Sequence, residues 1–185
     1  MCLAVLKLAA ERGWNGVTLD LVAKAAKVSL AHIKKNFKTA NDLLPVIVRY
    51  VTDEVASAIG KPDRKASPHD QLFDVMMARF DVLQKHRAGI LAITKAMRRD
   101  PAMFCILIPA QRQEMRRMLD LAGIEQVGPV RLAAPAGLWV IYMVTLRIWQ
   151  GDETIDMAKT MAGLDRALRF TGRAAEILFP AFSGT

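Results

Sequence analysis

The chain has 185 residues, of which 52% are hydrophobic and 24% are charged, a composition that excludes intrinsic disorder and allows a large core. Its 26 lysines and arginines exceed its 18 acidic residues, and the net charge of +8 suggests a polyanionic partner, although a merely soluble surface also fits. The two cysteines form no metal-ligand spacing and no signal peptide is visible, so a cytoplasmic location is expected. The longest uncharged run, between Arg131 and Arg147, contains Pro135 and is shorter than the roughly 20 residues of a membrane helix, so no membrane span is predicted.

The first third of the chain is predicted to form short helices. Strand signals are nearly absent, while apolar residues recur with the 3.6-residue period of helices throughout, which indicates an all-α protein. The first helix is expected to stop at Gly13. Thr18 and Ser29 are N-cap signals for two short helices. A longer helix then runs to Ile59, and residues 60–68 form a linker rich in turn-forming and charged residues.

The remaining helices are predicted to be longer. Pro68 opens a helix that runs to about Lys85, and two further helices end before Pro101 and near Gly123. Residues 130–150 are apolar on every side, so we expect a helix that is buried all round. A last helix is predicted over residues 154–178. The total is about nine helices.

Residues 17–37 have the pattern of a helix-turn-helix, in which two short helices cross at small residues. Positive charge is concentrated in this part of the chain: residues 1–41, which include the pattern, hold seven basic residues and only two acidic ones. A shared miniature core is predicted from Val22, Val28, Ile33 and Phe37. In the major groove, such a helix uses its N-terminal part for base edges and flanking cations for phosphates. The predicted DNA-binding residues are Thr18, Lys27, Ser29, Leu30, Ala31, His32, Lys34, Lys35 and Lys38. A solvated helical pair with surface lysines is the competing interpretation.

The order of these elements resembles the TetR family of bacterial transcriptional regulators. The resemblance covers residues 3–48 and rests on the matching positions Gly13, Thr18, Val22-Ala23, Val28-Ser29, Phe37 and Leu43. The chain departs from the family pattern at Lys27, where the family has a turn glycine, at Lys34, where it has an aromatic residue, and at Thr39-Ala40, where it has Ser-Lys.

The resemblance implies a three-helix helix-turn-helix DNA-binding domain in residues 1–47 and a helical effector-binding and dimerisation domain in residues 48–185. It implies a ligand-responsive regulator, most often a repressor, that binds a palindromic operator as a homodimer. The alternative is a lipid-binding accessory protein of ubiquinone biosynthesis, which shares this fold and does not bind an operator. Salt-dependent retention of duplex DNA separates the two.

No enzymatic activity, metal or cofactor is expected. No Gly-rich phosphate loop, no G-x-S-x-G and no H-E-x-x-H occurs in the sequence. His32, His69 and His86 have no partner at metal-ligand spacing, so each is predicted to be an ordinary surface histidine.

The C-terminal part carries two further predictions. Methionines and aromatic residues on the middle helices suit a pocket for a small hydrophobic effector, although each also suits an ordinary core. The predicted pocket residues are Phe73, Met76, Met77, Phe80, Met97, Phe104, Gln111, Met115, Trp139 and Tyr142. The last two helices are predicted to form a four-helix bundle with a second copy. The predicted interface residues are Leu138, Ile141, Thr145, Ile148, Met157, Met161, Leu164 and Leu168.

Overall fold

The computed structural model describes residues 1–60, 65–124, 128 and 130–178, with side chains described except at residues 130 and 171–178. In this part of the chain it contains nine α-helices, two short 3-10 turns and no strand, which confirms the all-α prediction. The helices are α1 (Cys2–Arg12), α2 (Leu19–Ala26), α3 (Leu30–Asn36), α4 (Leu44–Ala58), α5 (Pro68–Lys85), α6 (Arg87–Met97), α7 (Pro101–Leu121), α8 (Val130–Gln150) and α9 (Ala158–Leu178). Part of the predicted linker, residues 61–64, lies outside the described residues.

The helices group into two compact units by their contacts. The first unit combines Met1–Ser57 with Asp81–Glu114, and the second combines Ala58–Phe80 with Met115–Thr185. Both α5 and α7 therefore contribute residues to each unit. The predicted boundary between residues 47 and 48 does not coincide with an edge of either unit, and it stays a prediction.

Local capping shapes the helix-turn-helix of the first unit. The Thr18 hydroxyl accepts a hydrogen bond from the Leu21 backbone N–H at 3.3 Å, and the Ser29 hydroxyl accepts one from the His32 N–H at 3.2 Å. Both side chains satisfy backbone donors that the first turn of a helix leaves without partners. The two predicted N-caps are therefore confirmed.

The core of the helix-turn-helix differs from its prediction at one position. Val22 and Ile33 are buried as predicted, and Phe37 is half-buried. Val28 is 40% exposed, so its assignment to the core is wrong. The Val28 N–H bonds to the Ala23 carbonyl at 3.1 Å and closes the end of α2, which leaves the valine side chain on the outside of the turn.

The second unit is built on α8 and α9, which pack against each other. The large apolar side chains that are fully buried there come from four helices of the unit. They are Met76, Phe80, Met115, Met118, Trp149 and Leu164. Gly163 leaves room for the Ile148 side chain where α8 packs on α9, because a β-carbon at that position would lie 2.5 Å from the Ile148 terminal methyl.

The start of α9 differs from the sequence prediction. The helix begins at Ala158 rather than near Thr154. Met157 has a φ of 54°, in the left-handed region, which ends any continuous helix through residues 154–157. The buried Asp152 carboxylate accepts hydrogen bonds from Thr154 and Thr160 across this turn, so tertiary contacts set the helix start.

The single chain covers one face of α8 and leaves the other open, so burial on every side, which needs a second copy, stays a prediction. Leu138, Tyr142 and Trp149 are buried, but Val140 is 61% exposed and Val144 is 50% exposed. Residues 131–150 are long and apolar enough to cross a membrane by length and composition alone. A core helix passes the same test, and the buried face of α8 fits that explanation.

Candidate functional site

The surface of α3 presents the residues predicted to contact DNA. We define the α3 surface as Ser29, Leu30, Ala31, His32, Lys34, Lys35 and Lys38. Six of these residues are exposed and Leu30 is half-buried, while Ile33 between them is only 1% exposed and anchors the helix. Thr18 and Lys27, which complete the predicted set, are exposed as well. Their role in DNA binding stays a prediction.

Lys27 forms the turn between α2 and α3. Its φ of 56° and ψ of 40° lie in the left-handed region, and its N–H bonds to the Lys24 carbonyl at 3.3 Å. This conformation costs about 1–2 kcal/mol for a residue with a β-carbon, which explains why a glycine suits the position. The lysine adds an exposed cation beside the start of α3.

Hydrogen bonds fix the segment that follows α3. The Asp42 carboxylate accepts from the backbone N–H groups of Lys38 at 2.7 Å and Thr39 at 2.9 Å. The N–H groups of Thr39 and Lys38 hold the pKa of Asp42 below its usual range, so the carboxylate stays charged. Nearby, the Trp14 indole N–H donates to the Asn41 side-chain oxygen at 2.9 Å. These bonds define the conformation of the chain between α3 and α4.

The electrostatics of residues 17–38 are one-sided. This range contains one acidic residue, Asp20, and five exposed lysines: Lys24, Lys27, Lys34, Lys35 and Lys38. A short exposed helix with a capped start and flanking cations has the chemistry to contact base edges and phosphates.

The predicted effector residues divide between the two units. Met97, Phe104 and Gln111 belong to the first unit, and the other seven belong to the second. In the second unit, Met76, Phe80, Met115 and Tyr142 are buried, while Phe73, Met77 and Trp139 are half-buried. Their assignment to one effector site stays a prediction.

An aromatic cluster in the second unit includes Trp149, which the sequence analysis did not predict, and has Arg79 packed on it. The Phe80 ring centroid lies 5.9 Å from that of Tyr142 and 6.5 Å from that of Trp149. The Arg79 guanidinium lies 4.8 Å from the Tyr142 ring centroid, although Arg79 is only 1% exposed. Trp149 follows Tyr142 by two helical turns on the same face, so the helical period could have found it. No sequence signal marks Arg79 as buried.

The predicted dimer residues mostly belong to the core of one chain. Six of them are buried in the second unit, so their assignment to the dimer interface is corrected to the core: Leu138, Ile141, Thr145, Met157, Leu164 and Leu168. Ile148 is half-buried and Met161 is 38% exposed. Four exposed apolar residues of α8 recur at spacings of three and four and form what we call the outer stripe: Ala133, Ala136, Val140 and Val144. Leu132, which is 64% exposed, does not follow this spacing.

Two of the three histidines have partners that the sequence did not indicate. The His69 ring nitrogens lie 3.1 Å from an Asp70 oxygen and 3.2 Å from an Asp165 oxygen, and His86 Nε2 lies 3.5 Å from the Tyr50 hydroxyl. Both side chains are half-buried, so the prediction of ordinary surface histidines fits only the exposed His32. Among the described residues, no group of His, Cys, Asp and Glu could hold a metal ion.

Solved structures share the architecture of this chain. A TetR transcriptional regulator from Nitrosomonas europaea is 18% identical, with a TM-score of 0.70 over 93% of this chain and 95% of that one. A TetR transcriptional regulator from a Rhodococcus species is 22% identical, with a TM-score of 0.61 over 91% of each chain. A TetR-family regulator from Streptomyces coelicolor is 18% identical, with a TM-score of 0.59 over 97% of this chain and 86% of that one.

No protein-family model matches the sequence, and no curated protein sequence matches it either. The structural likeness alone shows that this chain has the fold of TetR-family transcriptional regulators. The predicted fold class, an N-terminal helix-turn-helix followed by a helical bundle, is confirmed.

Proposed function

We propose that this chain is a ligand-responsive transcriptional regulator, a repressor that binds a palindromic DNA operator as a homodimer. The observation that carries the proposal is the exposed, cationic α3 surface on a capped helix-turn-helix within a TetR fold. Residues 1–47 bind the DNA in this proposal, while residues 48–185 bind the effector and dimerise.

Each residue type on the α3 surface has a role in the proposal. Ser29, Leu30, Ala31 and His32 occupy the start of the helix, where side chains meet base edges in the major groove. Lys34, Lys35 and Lys38 follow in the sequence and are exposed, and such cations neutralise phosphates. Sequence preference therefore depends on the first group, and affinity for any duplex depends on the second.

The test is salt-dependent binding of duplex DNA. The double variant Lys34→Ala with Lys35→Ala is expected to bind every duplex more weakly, and its salt slope is expected to flatten by about one unit per lost phosphate contact. The His32→Ala variant is expected to keep the salt slope and change the preferred sequence. Sequences for the assay come from selection out of random duplexes by the wild-type chain.

The matched control removes two lysines outside residues 1–47. Lys85 and Lys159 are exposed, and replacing both with alanine lowers the net charge from +8 to +6, as the Lys34 and Lys35 pair does. The control is expected to bind DNA nearly as the wild type does. Equal losses in both double variants would show that overall charge, rather than the α3 surface, attracts the DNA.

Dimerisation is proposed through the outer stripe of α8. Its exposed valines, Val140 and Val144, are large apolar side chains that a second copy would cover. A two-fold axis there would pack α8 and α9 of two chains into a four-helix bundle. A palindromic operator requires the two α3 helices of the dimer to lie about 34–36 Å apart, one turn of DNA.

The effector is proposed to be a small hydrophobic molecule. Support comes from the pliable methionines Met76, Met115 and Met118, which are fully buried in the same unit as the aromatic cluster. A ligand at a hundred times its dissociation constant adds about 2.7 kcal/mol to the free energy of unfolding, which a thermal shift detects. The same ligand is expected to release the operator, because it must favour one conformation of the regulator.

The lipid-binding accessory protein remains the other outcome of these tests. A chain that retains lipid through purification and holds no duplex, even at low salt, would favour that function and contradict the regulator. The regulator proposal includes no enzymatic activity and no cofactor, and it places the protein in the cytoplasm.

A further inference from the structure

The backbones of α1 and α6 touch at one glycine. A β-carbon on Gly89 would lie 2.4 Å from the Leu6 carbonyl oxygen, 3.1 Å from its carbon and 3.2 Å from its α-carbon. All three are backbone atoms inside a helix, so they cannot swing aside as the end of a side chain can. Any residue other than glycine at this position must therefore push α1 and α6 apart by about 1 Å to reach ordinary contact.

The crossing connects α6 to the helix-turn-helix through packed elements. Leu6 lies on the buried face of α1 with Val5 and Ala9, and α1 packs on α2. Helix α6 also contacts the 3-10 turn Trp14–Gly16. Trp14 in that turn bonds to Asn41 just before α4, so a shift of α6 reaches both sides of the helix-turn-helix.

A second contact holds the start of α6 to α4. His86 is the residue before α6, and its Nε2 lies 3.5 Å from the hydroxyl of Tyr50 on α4. The two rings are 6.0 Å apart and inclined by 53°. Residues 1–57 and 81–114 form one compact unit, so α6 belongs with the helix-turn-helix although it lies far away in the sequence.

We infer that Gly89 is a positioning residue for DNA binding: by allowing α1 and α6 to touch, it sets where α3 lies. The inference rests on the proposed function, because its main readout is operator binding. Helix α6 then acts as the support of the helix-turn-helix, with the His86–Tyr50 contact as a second point of attachment.

The test is the Gly89→Ala variant of the full chain. We expect it to keep its helical content and its oligomeric state, and to bind the selected operator at least tenfold more weakly because a displaced α3 loses base contacts. Affinity for random duplex and its salt slope are expected to change little, since exposed lysines reach phosphates from either position. A loss restricted to specific binding separates positioning from simple destabilisation, which would weaken both.

Two glycines provide matched controls. Gly137 lies in α8, and a β-carbon there would meet nothing within 4 Å, so Gly137→Ala is expected to bind as the wild type does. Gly163 lies in α9 at a tight crossing with the Ile148 side chain in the second unit. If Gly163→Ala weakened operator binding as much as Gly89→Ala, any tight helix crossing would matter equally, and the inference would be overturned.

A readout that does not depend on DNA separates the inference from the proposed function. Amide hydrogen exchange in α1, α2 and α3 is expected to accelerate in Gly89→Ala, while exchange in α8 and α9 stays unchanged. If the wild type binds no DNA, the proposed function fails. The rate of amide hydrogen exchange in α1, α2 and α3 then becomes the test of the positioning role. Unchanged exchange together with unchanged operator affinity would refute it.

The variant Tyr50→Phe is the gentler test should Gly89→Ala fail to fold. It removes only the hydroxyl near His86, and we expect a threefold to fivefold loss of operator affinity with wild-type thermal stability. Wild-type affinity in Tyr50→Phe, combined with a Gly89→Ala variant that does not fold, would count against the proposal.

Discussion

Replacing Asp152 with asparagine tests the buried turn between α8 and α9. The carboxylate is 1% exposed. One oxygen accepts from the Thr154 N–H at 3.1 Å and the Thr154 hydroxyl at 2.5 Å. The other accepts from the Thr160 N–H at 2.8 Å and the Thr160 hydroxyl at 2.7 Å. One charged group therefore satisfies four donors across the turn.

The magnitude of the effect follows from this geometry. Whichever way the introduced amide turned, its NH2 group would face one of the two backbone N–H donors and leave it without an acceptor. A buried donor without a partner costs about 1–3 kcal/mol, and the bonds that remain lose the strength given by the charge. We expect Asp152→Asn to lower the free energy of unfolding by about 2–4 kcal/mol. In a chain of this size, that lowers Tm by roughly 5–15 °C.

The pH dependence gives a second, independent readout. Burial alone would raise the pKa of Asp152, but the hydrogen bonds from Thr154 and Thr160 outweigh it and hold the pKa well below its usual range. A carboxyl with a lowered pKa in the folded state stabilises the protein above its unfolded pKa, and this stabilisation fades as the pH falls below about 5. The gap between wild type and Asp152→Asn is therefore expected to shrink from pH 7 towards pH 3.

Urea titrations at pH 7, 5 and 3 measure both effects. The control is Glu153→Gln, which removes one negative charge from an exposed neighbour and is expected to change the free energy of unfolding by less than about 0.5 kcal/mol. The reasoning is refuted if Asp152→Asn is as stable as the control at pH 7. It is also refuted if the gap stays constant down to pH 3.

Four further substitutions have clear expected outcomes. Lys27→Gly removes the strain of a β-carbon in the left-handed region and is expected to add about 1 kcal/mol to the free energy of unfolding. It also removes a cation, so binding to all duplexes is expected to weaken. A loss of stability would contradict the strain. Asp42→Ala leaves two backbone N–H groups without their acceptor and is expected to cost about 1 kcal/mol in urea titrations, whereas an unchanged midpoint would contradict the cap. Gly163→Ala is expected to lower Tm and to be rescued by Ile148→Val, which removes the methyl in the way; failure of the rescue would place the clash elsewhere. Val144→Asp is expected to convert a dimer of twice 20.5 kDa into a folded monomer in light scattering, and a persistent dimer would move the interface away from the outer stripe.

Local chemistry accounts for what the sequence could predict. The caps at Thr18 and Ser29 and the helix start at Pro68 depend on residues within one turn, so the pattern contains all that is needed. The helical period predicts the start of α9 four residues too early, because Asp152 and the left-handed Met157 override that period. The override requires Thr160 to be in place first, which no local pattern shows.

The helical period shows which residues share a face, but it does not show whether that face packs within the chain or against a second copy. The spacing of Leu164 and Leu168 correctly marks a packed stripe, but their burial places that stripe within the chain's own core. On α8 the sequence is apolar all round, so Val140 and Ile141 look alike until the fold exposes one and buries the other. Gly89 gave no signal at all, because a close approach depends on an α1 backbone distant in the sequence.

The contact between α1 and α6 also constrains how the protein folds during synthesis. The α1 segment is made first and can pack on α2 at once, yet its contact with α6 forms only when α6 has been synthesised. Until then the part of α1 that contacts α6 stays open to other chains, and closing so long a loop makes its completion slow. A nascent chain that stops before α6 is thus expected to need a chaperone, and a fragment of residues 1–47 would expose the same face permanently.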